Sequence, residues 1–470
     1  MEVVRNQKTT EYLSEQSVFA TKRNFFDAGH TRTSAFRQKQ LKLLLAGIRK
    51  YESEILQALK SDLGKSEVEA YANEIGMIYT EINHAQKSLK TWMRKKKVAT
   101  PLVLQPSSSH IIYEPLGVVL IISPWNYPFQ LSMAPVIGAI AAGNCIVLKP
   151  SEEAAATAKI IEILISDTFS KEYISVVNGL GHEVVPALME RYDFNHIFFT
   201  GSPAVGSLIA QAAAKKLTPV TLELGGKSPA IVDASANIRV AAQRLTWGKF
   251  TNAGQSCVAP DYLLVHTSVK KELLREIETA ITRFYGSEPK TSPDYGRMIN
   301  EKRFDAVTAF LGDGRICLGG QSDKTDRYIA PTVMDEIRSD SPVMKEEIFG
   351  PVWPILTWES TDDILRITRE NRYPLACYYF GTDKKREKDI LEKVEFGGGC
   401  VNNALVHLGN PDLPFGGVQG SGSGRYHGWY SFECFSHTKG ILKTATWIDP
   451  FVKYPPYTSF KLKILKKFFG

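Results

Sequence analysis

The sequence predicts an α/β protein with a doubly wound parallel sheet of the Rossmann type, followed by a second α/β domain. Short apolar runs suited to buried strands, such as residues 118–122 and 145–148, alternate with helical patterns as far as residue 224. After Gly225 the alternation restarts and continues to about Val401. With 470 residues, 43% of them hydrophobic, the chain is long enough for two or three domains.

The segments around these two domains have different patterns. Residues 20–97 carry apolar side chains at spacings of three and four, which predicts a helical lead-in whose basic residues 94–97 form a solvated helix end. Residues 98–113 contain β-branched residues, two prolines and a PSSS turn, and they predict a β-hairpin or an arm. Residues 402–446 are rich in glycine and aromatic residues, which is typical of ordered loops followed by a strand.

Within the first domain, the sequence predicts where its helices begin. A helix-like stretch runs to about Ala142, and the next helix is expected to open at Ser151, with Glu152 and Glu153 in its first turn. The last helix of this domain is expected over residues 208–216. Ligands of such a sheet bind at the carboxyl ends of its strands, so we expect the functional site there.

Cysteine usage and hydropathy narrow the class of protein. The six cysteines are scattered without a CxxC pair, and neither an HExxH motif nor a secretory leader is present. These observations predict a cytoplasmic protein without a metal site. No apolar run approaches the ~18 residues of a membrane span.

The positive charge is concentrated at the C-terminus. The net charge is +7, and the last residues, KLKILKKFFG, contain four lysines and no acid. A helix there would place several apolar residues on one face, namely Phe460, Ile464, Leu465 and Phe468. Such a helix could contact an anionic membrane peripherally. The alternative, which the pattern favours, is that it covers an apolar groove of this chain or of a partner subunit. Residues 94–97 are also basic, but no nucleic-acid-binding motif accompanies them.

Residues 252–257, reading NAGQSC, place a thiol at the end of a loop of small residues. Small, polar neighbours leave room for a substrate, so Cys257 is a candidate nucleophile. The alternative is a buried structural cysteine, which is the commoner case for a single thiol.

Two segments of the first domain suggest a dinucleotide site. Residues 201–206, GSPAVG, lie between a strand and a helix, where backbone N–H groups favour phosphate. Neither GxGxxG nor a Walker A motif is present, and a plain tight turn is the alternative. Lys149 and Glu152 lie where another strand ends and suit the hydroxyls of a ribose, although a surface ion pair fits them too. A carboxylate there disfavours a 2′-phosphate, so NAD is preferred to NADP, with both left open.

Two further residues fit chemistry at the thiol. Glu223 ends the last strand of the first sheet and is a candidate general base, while a structural ion pair is the alternative. Asn126, in SPWNYP, carries a side-chain amide that could hold an oxyanion, although its flanking prolines also fit a turn.

Seven motifs along residues 20–442 resemble the aldehyde dehydrogenase family: SPWNYPF, LKPSE, FFTGSPAVG, LELGGKSP, NAGQSC, EEIFGP and PFGG. The LTPVTLELGGKSP and RYHGWYSFECFSH segments look most like its class 3 branch, whose members oxidise medium- and long-chain aliphatic and aromatic aldehydes. The resemblance implies Cys257 as nucleophile, Glu223 as base, and Asn126 with the Cys257 N–H as oxyanion donors.

The resemblance also implies the cofactor contacts and the domains. NAD or NADP would meet the following residues: Lys149, Glu152, Gly201, Ser202, Gly206, Glu347 and Phe349. The cofactor domain would comprise residues 1–97 and 114–222, the catalytic domain 223–401, the oligomerisation arm 98–113 and 402–446, and the tail 447–470. A homodimer is the class 3 expectation.

Two residues depart from the family pattern. Gln419 stands where family members often have glycine, which puts the local loop geometry in question, and Trp429 stands where a lysine is more familiar, at an expected substrate entrance. Two other functions remain open: a CoA-acylating aldehyde dehydrogenase, which generally lacks a base at the position of Glu223, and a catalytically silent binding protein with the same fold.

Overall fold

The computed structural model describes residues 16–469. Its strands, in chain order, are β1 (Lys96–Val98), β2 (Ser107–Pro115), β3 (Val118–Ile122), β4 (Cys145–Lys149), β5 (Ile174–Val176), β6 (His196–Thr200), β7 (Val220–Glu223), β8 (Pro229–Val232), β9 (Tyr262–His266), β10 (Arg315–Leu318), β11 (Ser322–Asp323), β12 (Tyr328–Ile329), β13 (Thr332–Asp335), β14 (Val352–Trp358), β15 (Ala376–Phe380), β16 (Gly398–Val401), β17 (Gly422–Ser423) and β18 (Ser436–Thr444).

The α-helices are Gln16–Asp27, Ser34–Lys50, Glu52–Leu63, Glu67–Ala70, Gly76–Trp92, Gln130–Ala142, Ala155–Thr168, Gly181–Arg191, Pro203–Ala214, Ile238–Phe250, Lys270–Tyr285, Glu301–Thr308, Pro342–Lys345, Thr361–Glu370, Lys384–Lys393, Gly428–Cys434 and Ser459–Phe469. None of the helices in the described part of the chain is both long and apolar enough to cross a membrane.

The first domain is built on a six-stranded sheet with the order β17-β7-β6-β3-β4-β5. The pairs from β7 to β5 are parallel, and β17 joins β7 antiparallel at the edge. All residues of β3 and β4 are buried, as expected for apolar strands covered on both faces by helices. The predicted doubly wound sheet is confirmed.

The second domain contains a seven-stranded sheet with the order β10-β13-β14-β9-β8-β15-β16. It is parallel apart from β10, which pairs antiparallel with β13. The edge strand β16, with the sequence GGCV, is half-buried along its whole length. The structure therefore has the second α/β unit that the restarted alternation predicts.

The arm is a three-stranded antiparallel sheet of β1, β2 and β18. The predicted hairpin is present, with Lys96 opposite Ile111 and Val98 opposite Ser109. Residues 94–97 are not a helix end, because Lys96 and Lys97 already pair in β1. Of residues 402–446, only 436–444 join the arm, whereas β17 joins the first sheet.

The helix expected to open at Ser151 begins at Ala155 instead, so Glu152 and Glu153 precede it. Asp62 on the lead-in caps this helix by accepting hydrogen bonds from the backbone N–H of Ala156 (3.1 Å) and Thr157 (2.8 Å). Because the capping residue comes from a distant part of the chain, the sequence around residue 155 does not show where the helix begins. The helix expected over residues 208–216 also begins earlier, at Pro203.

The two chain ends differ in how they pack. The lead-in supplies core residues such as Leu41, Leu44 and Ile82, whereas apolar side chains of the tail are exposed, with Trp447 79% and Tyr457 76% accessible. The predicted tail helix is present as Ser459–Phe469, and Lys461 lies toward the segment before it, donating to Tyr454 O at 2.7 Å. Residues 1–15 of the predicted lead-in, the Phe468 side chain and Gly470 lie outside the described residues.

Candidate active site

Cys257 lies where two cavities meet. A cavity of about 260 Å³ on one side and a crevice of about 780 Å³ on the other are both lined by Cys257, Glu223, Leu131, Thr200 and Leu224. The smaller cavity is otherwise lined largely by apolar side chains, whereas the larger has a mixed lining that includes the charged residues Lys227, Arg303, Lys345, Glu346, Glu347, Glu370 and Arg372. A molecule in either cavity can therefore reach the same thiol.

The loop before Cys257 is held in an unusual backbone conformation. Asn252 and Ala253 have φ values of 52° and 51°, in the left-handed region. Gly254 also has a positive φ of 73°, and a Cβ there would lie 2.4 Å from Gly350 O, so only glycine fits. The Gln255 side chain fixes the loop further by donating to Asn252 O (3.0 Å) and accepting from the Ile299 N–H (3.0 Å).

The environment of Cys257 favours its neutral form. Burial raises the pKa of the thiol above its ordinary value, and the charges of Glu347 and Glu223 raise it further. Its own N–H and that of Val258 act in the opposite direction. The residue is nevertheless only partly buried, and its sulfur is reachable from both cavities. Because the pKa is raised, forming the thiolate requires a base or a positive charge close by.

Glu223 is placed to act as such a base. It ends β7, is 1% exposed, and neither of its carboxylate oxygens has a hydrogen-bond partner among the described residues. Burial raises the pKa of this carboxyl well above its usual range. A carboxylate without a partner, lining both cavities, is available to take a proton from a thiol or a water.

Asn126 follows β3 and lines the larger crevice beside Cys257. One N–H of its amide is used, because Nδ2 donates to Gln255 O at 3.2 Å. The second N–H of this side-chain amide is left for a ligand. The backbone carbonyl of Asn126 accepts from Asn252 Nδ2 at 2.8 Å. Residues 126–130 (the oxyanion loop, after the role expected of Asn126) and residues 252–257 (the thiol loop) are thus bonded directly to each other.

Four of the predicted cofactor residues line the larger crevice: Gly201, Ser202, Glu347 and Phe349. Ser202 caps the helix Pro203–Ala214 by accepting from Val205 N at 3.4 Å, and this helix N-terminus faces the crevice. A Cβ at Gly225 would lie 2.0 Å from Glu347 Oε2, so glycine lets that carboxylate lie against the backbone. Burial, assisted by Asp261, raises the pKa of Glu347 to about 8.

The other three predicted cofactor residues are not among those lining this crevice. Lys149 pairs with Glu152 at the carboxyl end of β4, and Glu152 accepts from the Gly181 N–H at 2.6 Å, so these side chains are bonded to each other and to the neighbouring helix. Gly206 packs against Leu224, since a Cβ there would lie 2.6 Å from Leu224 Cδ2.

The two departures from the family pattern have different outcomes. Gln419 keeps a left-handed backbone with φ 50°, which is the conformation that glycine favours at such a position. Trp429 packs against Tyr113 and Phe432 beneath the arm, with ring centroids 5.1 and 5.4 Å away, and lines neither cavity. Its predicted place at the substrate entrance is therefore wrong.

Several site residues carry no sequence signal of their own. The apolar cavity draws Met77, Leu131, Trp247, Leu408 and Phe415 from widely separated segments, so only the fold brings them together. In the crevice, Lys227, Arg303 and Arg372 were also missed. Within residues 16–469, no group of three or more His, Cys, Asp or Glu side chains could hold a metal ion.

Comparisons with known proteins agree with this geometry. The profile of the aldehyde dehydrogenase family matches residues 5–441. The 4,4′-diaponeurosporen-aldehyde dehydrogenase of Staphylococcus aureus is 49% identical, covering 97% of this chain and 99% of the relative. Aldehyde dehydrogenase family 3 member B1 of Rattus norvegicus is 43% identical, covering 94% and 95%.

Solved structures give the same result. The substrate-bound state of Staphylococcus aureus AldH superposes with a TM-score of 0.94 at 48% identity, covering 97% of this chain and 99% of that one. An NAD-dependent aldehyde dehydrogenase from Sinorhizobium meliloti gives a TM-score of 0.84 at 29% identity, covering 92% and 87%. With its thiol, carboxylate and amide brought together between two cavities, the chain belongs to the aldehyde dehydrogenase family.

Proposed function

We propose that this protein oxidises aldehydes to carboxylic acids with NAD, or with NADP, by hydrolysing a thioester formed on Cys257. The observation that carries the proposal is the position of Cys257 in the wall shared by an apolar cavity and a charged crevice. Glu223, a buried carboxylate without a hydrogen-bond partner among the described residues, lines the same wall. One cavity would hold the aldehyde and the other the cofactor.

The residues of the chain would act in sequence. The Cys257 thiolate attacks the aldehyde carbon, and the oxygen of the resulting hemithioacetal is held by the second N–H of the Asn126 amide and the Cys257 N–H. When bound, the nicotinamide group would have a positively charged ring and would accept the hydride lost from that carbon, and the hemithioacetal would thereby become a thioester on Cys257. Glu223 then takes a proton from water, which attacks the thioester carbon, and the acid leaves as the thiol re-forms.

The crevice fits a dinucleotide. The N-terminus of the helix Pro203–Ala214, with Gly201 and Ser202 before it, presents backbone N–H groups to a pyrophosphate. Glu347 and Phe349 would meet the nicotinamide ribose. Lys149 and Glu152 would meet the adenosine ribose, where the Glu152 carboxylate disfavours a 2′-phosphate, so we expect NAD to be the better cofactor.

The apolar cavity favours medium- and long-chain aliphatic or aromatic aldehydes. Met77, Leu131, Trp247, Leu408 and Phe415 offer such a substrate little to hydrogen-bond, so chain length and shape would set its affinity. The Staphylococcus aureus relative is named for 4,4′-diaponeurosporen-aldehyde, which makes this compound a useful member of any substrate panel.

We also propose a cytoplasmic homodimer formed through the arm. Strand β18 has mostly exposed residues, and β16 is a half-buried edge strand of the catalytic sheet, so each offers an edge for pairing with a second copy. The exposed apolar side chains of residues 447–469 follow β18 directly. Cover by the partner subunit, rather than by an anionic membrane, is the favoured account of this tail.

The tail proposal is tested by deleting residues 461–470. If the tail covers the partner's substrate cavity, the deletion changes the selectivity for chain length, and neither form pellets with anionic vesicles. Pelleting of the full chain alone would instead favour the membrane. A monomeric mass in solution would overturn the dimer.

The activity is tested with a panel of aldehydes that varies in chain length and aromaticity. NADH and NADPH are read by absorbance, and the products are analysed with and without CoA. We expect free carboxylic acid in both cases, and NADH to form faster than NADPH. Acyl-CoA as the product would identify a CoA-acylating enzyme. No reduced cofactor with any aldehyde would favour a silent binding protein.

A further inference from the structure

A continuous helical stretch of the lead-in reaches the active site. The helix Glu67–Ala70 continues through a π-helical turn, Tyr71–Ile75, into the helix Gly76–Trp92. π-Helical turns are rare and frequently occur at functional sites. This one contains Glu74 and closely follows Glu69, and both acidic residues bond to the loops of the active site.

Lys65 and Glu74 form a fully buried ion pair next to the oxyanion loop, with both side chains 0% exposed. Lys65 Nζ donates to Glu74 Oε1 (2.5 Å) and to Asn126 O (2.9 Å). The other oxygen of Glu74 accepts from the N–H groups of Phe129 (2.9 Å) and Gln130 (3.1 Å). The pair therefore holds both ends of the segment from Asn126 to Gln130.

Glu69 holds the second loop of the active site. Its carboxylate accepts from the Asn252 N–H at 2.7 Å, at the residue where the thiol loop enters its left-handed turn. The Asn252 side chain in turn donates to Asn126 O (2.8 Å) and to Gln255 O (3.0 Å). Asn126 O thus accepts from Lys65 on one side and from the thiol loop on the other.

We propose that Lys65, Glu69 and Glu74 are positioning residues, which lock the oxyanion loop and the thiol loop in one relative placement. The inference rests on the proposed function, because that placement matters for holding the oxygen of a bound aldehyde between the Asn126 amide and the Cys257 N–H. None of the three residues touches the reacting atoms. A displacement of either donor by about 1 Å would slow the chemistry by up to about 100-fold.

Variants of Glu69 distinguish a positioning role from a role in folding. Glu69→Ala removes the acceptor of the Asn252 N–H, whereas Glu69→Gln keeps an oxygen that can accept it. Glu67→Ala is the matched control, since Glu67 is exposed on the same helix. The measurement is the single-turnover rate constant of NADH formation, per active site counted from the burst amplitude, together with the KM for NAD.

We expect Glu69→Ala to lower that rate constant by about 10- to 100-fold with an unchanged KM for NAD. Glu69→Gln should stay within about threefold of the wild type, as should Glu67→Ala. A wild-type rate constant in Glu69→Ala, or an equal loss in Glu69→Gln, would overturn the proposal. If Glu69→Ala proves too unstable to assay, the double variant Lys65→Met/Glu74→Gln takes its place, because it leaves no unpaired buried charge. We expect it to slow the same step.

Hydrogen exchange supplies a readout that does not depend on activity. The amides of residues 251–257 should exchange faster in Glu69→Ala than in Glu67→Ala, because the Asn252 N–H loses its acceptor. Equal exchange in the two variants would overturn the proposed clamp, by which we mean Lys65, Glu69 and Glu74 together. If the wild type fails to reduce NAD with every aldehyde of the panel, the proposed function is overturned instead. The two failures are therefore distinguishable.

Discussion

The two cavities that meet at Cys257 differ in size and in chemistry. The smaller one, of about 260 Å³, is lined mainly by apolar side chains such as Leu131, Trp247 and Phe415. The larger one, of about 780 Å³, contains Lys227, Arg303 and other charged residues. An apolar wall binds a hydrocarbon chain without specific bonds, whereas a charged wall suits an ionic cofactor of fixed shape.

This difference indicates that the two cavities bind different reactants on either side of the Cys257 sulfur. If each cavity holds one reactant, changes in the apolar cavity should alter aldehyde selectivity alone, and changes in the crevice away from Asn126 should alter cofactor binding alone. Only Asn126 and the residues of the shared wall should affect the chemical step. The predictions below test that separation, in order of decreasing effect.

The largest effect is expected at the shared wall. Replacing Cys257 by alanine should lower NAD-dependent aldehyde oxidation by at least about 10³-fold, because no other thiol lines either cavity. Activity is measured as NADH formation at saturating substrate. Cys317→Ala is the control, since that thiol lies on β10 and lines neither cavity. Full activity in Cys257→Ala would refute the assignment of the nucleophile.

A smaller and selective effect is expected in the apolar cavity. Leu408→Trp should fill space that a long aldehyde needs, lowering kcat/KM for long-chain substrates by about 10- to 100-fold while short-chain aldehydes keep theirs. Leu413→Trp, at an exposed leucine nearby that lines neither cavity, serves as the control. A change in the KM for NAD of the same size would break the proposed separation.

The crevice should show the complementary behaviour. Glu347→Gln removes a carboxylate expected to hold the nicotinamide ribose, so the KM for NAD should rise by about 10-fold. The ratio of activities with long and short aldehydes should stay constant. Glu359→Gln, at an exposed glutamate outside both cavities, provides the comparison. An altered aldehyde preference in Glu347→Gln would show that the cavities are not independent.

The pH dependence should reflect Glu223. Burial raises the pKa of its carboxyl well above the ordinary value, and the base must be ionised to activate water. The rate of thioester hydrolysis should therefore fall as the pH is lowered through that raised pKa, starting at a higher pH than for an exposed glutamate. Pre-steady-state measurements over a pH series would reveal this. A hydrolysis rate that stays constant down to the ordinary carboxylate range would count against the assignment.

The sequence predicts the two sheets well and the cavity walls poorly. β3 and β4 are continuous apolar runs, and Cys257, Glu223 and Asn126 each lie in a local motif at a strand end or loop. By contrast, Trp247 and Leu408 reach the same cavity from distant segments without a shared motif. Their roles depend on tertiary packing, which no local spacing encodes.

The clamp on the lead-in shows a similar limit. Lys65 and Glu74 fall within an ordinary helical pattern of charged and apolar residues, yet both are fully buried. Their partners, the carbonyl of Asn126 and the N–H of Phe129, are backbone groups more than fifty positions away. A side chain that bonds to distant backbone leaves no complementary residue in the sequence to point to it.

The central claim is that a thioester forms on Cys257 and that Glu223 is needed to hydrolyse it. The most direct test mixes Glu223→Gln with NAD and an aldehyde and measures the NADH burst and the intact mass of the protein. We predict about one NADH per active site, and an added acyl group that maps to the peptide containing Cys257. Sustained turnover at the wild-type rate, or an acyl group on another residue, would contradict this account.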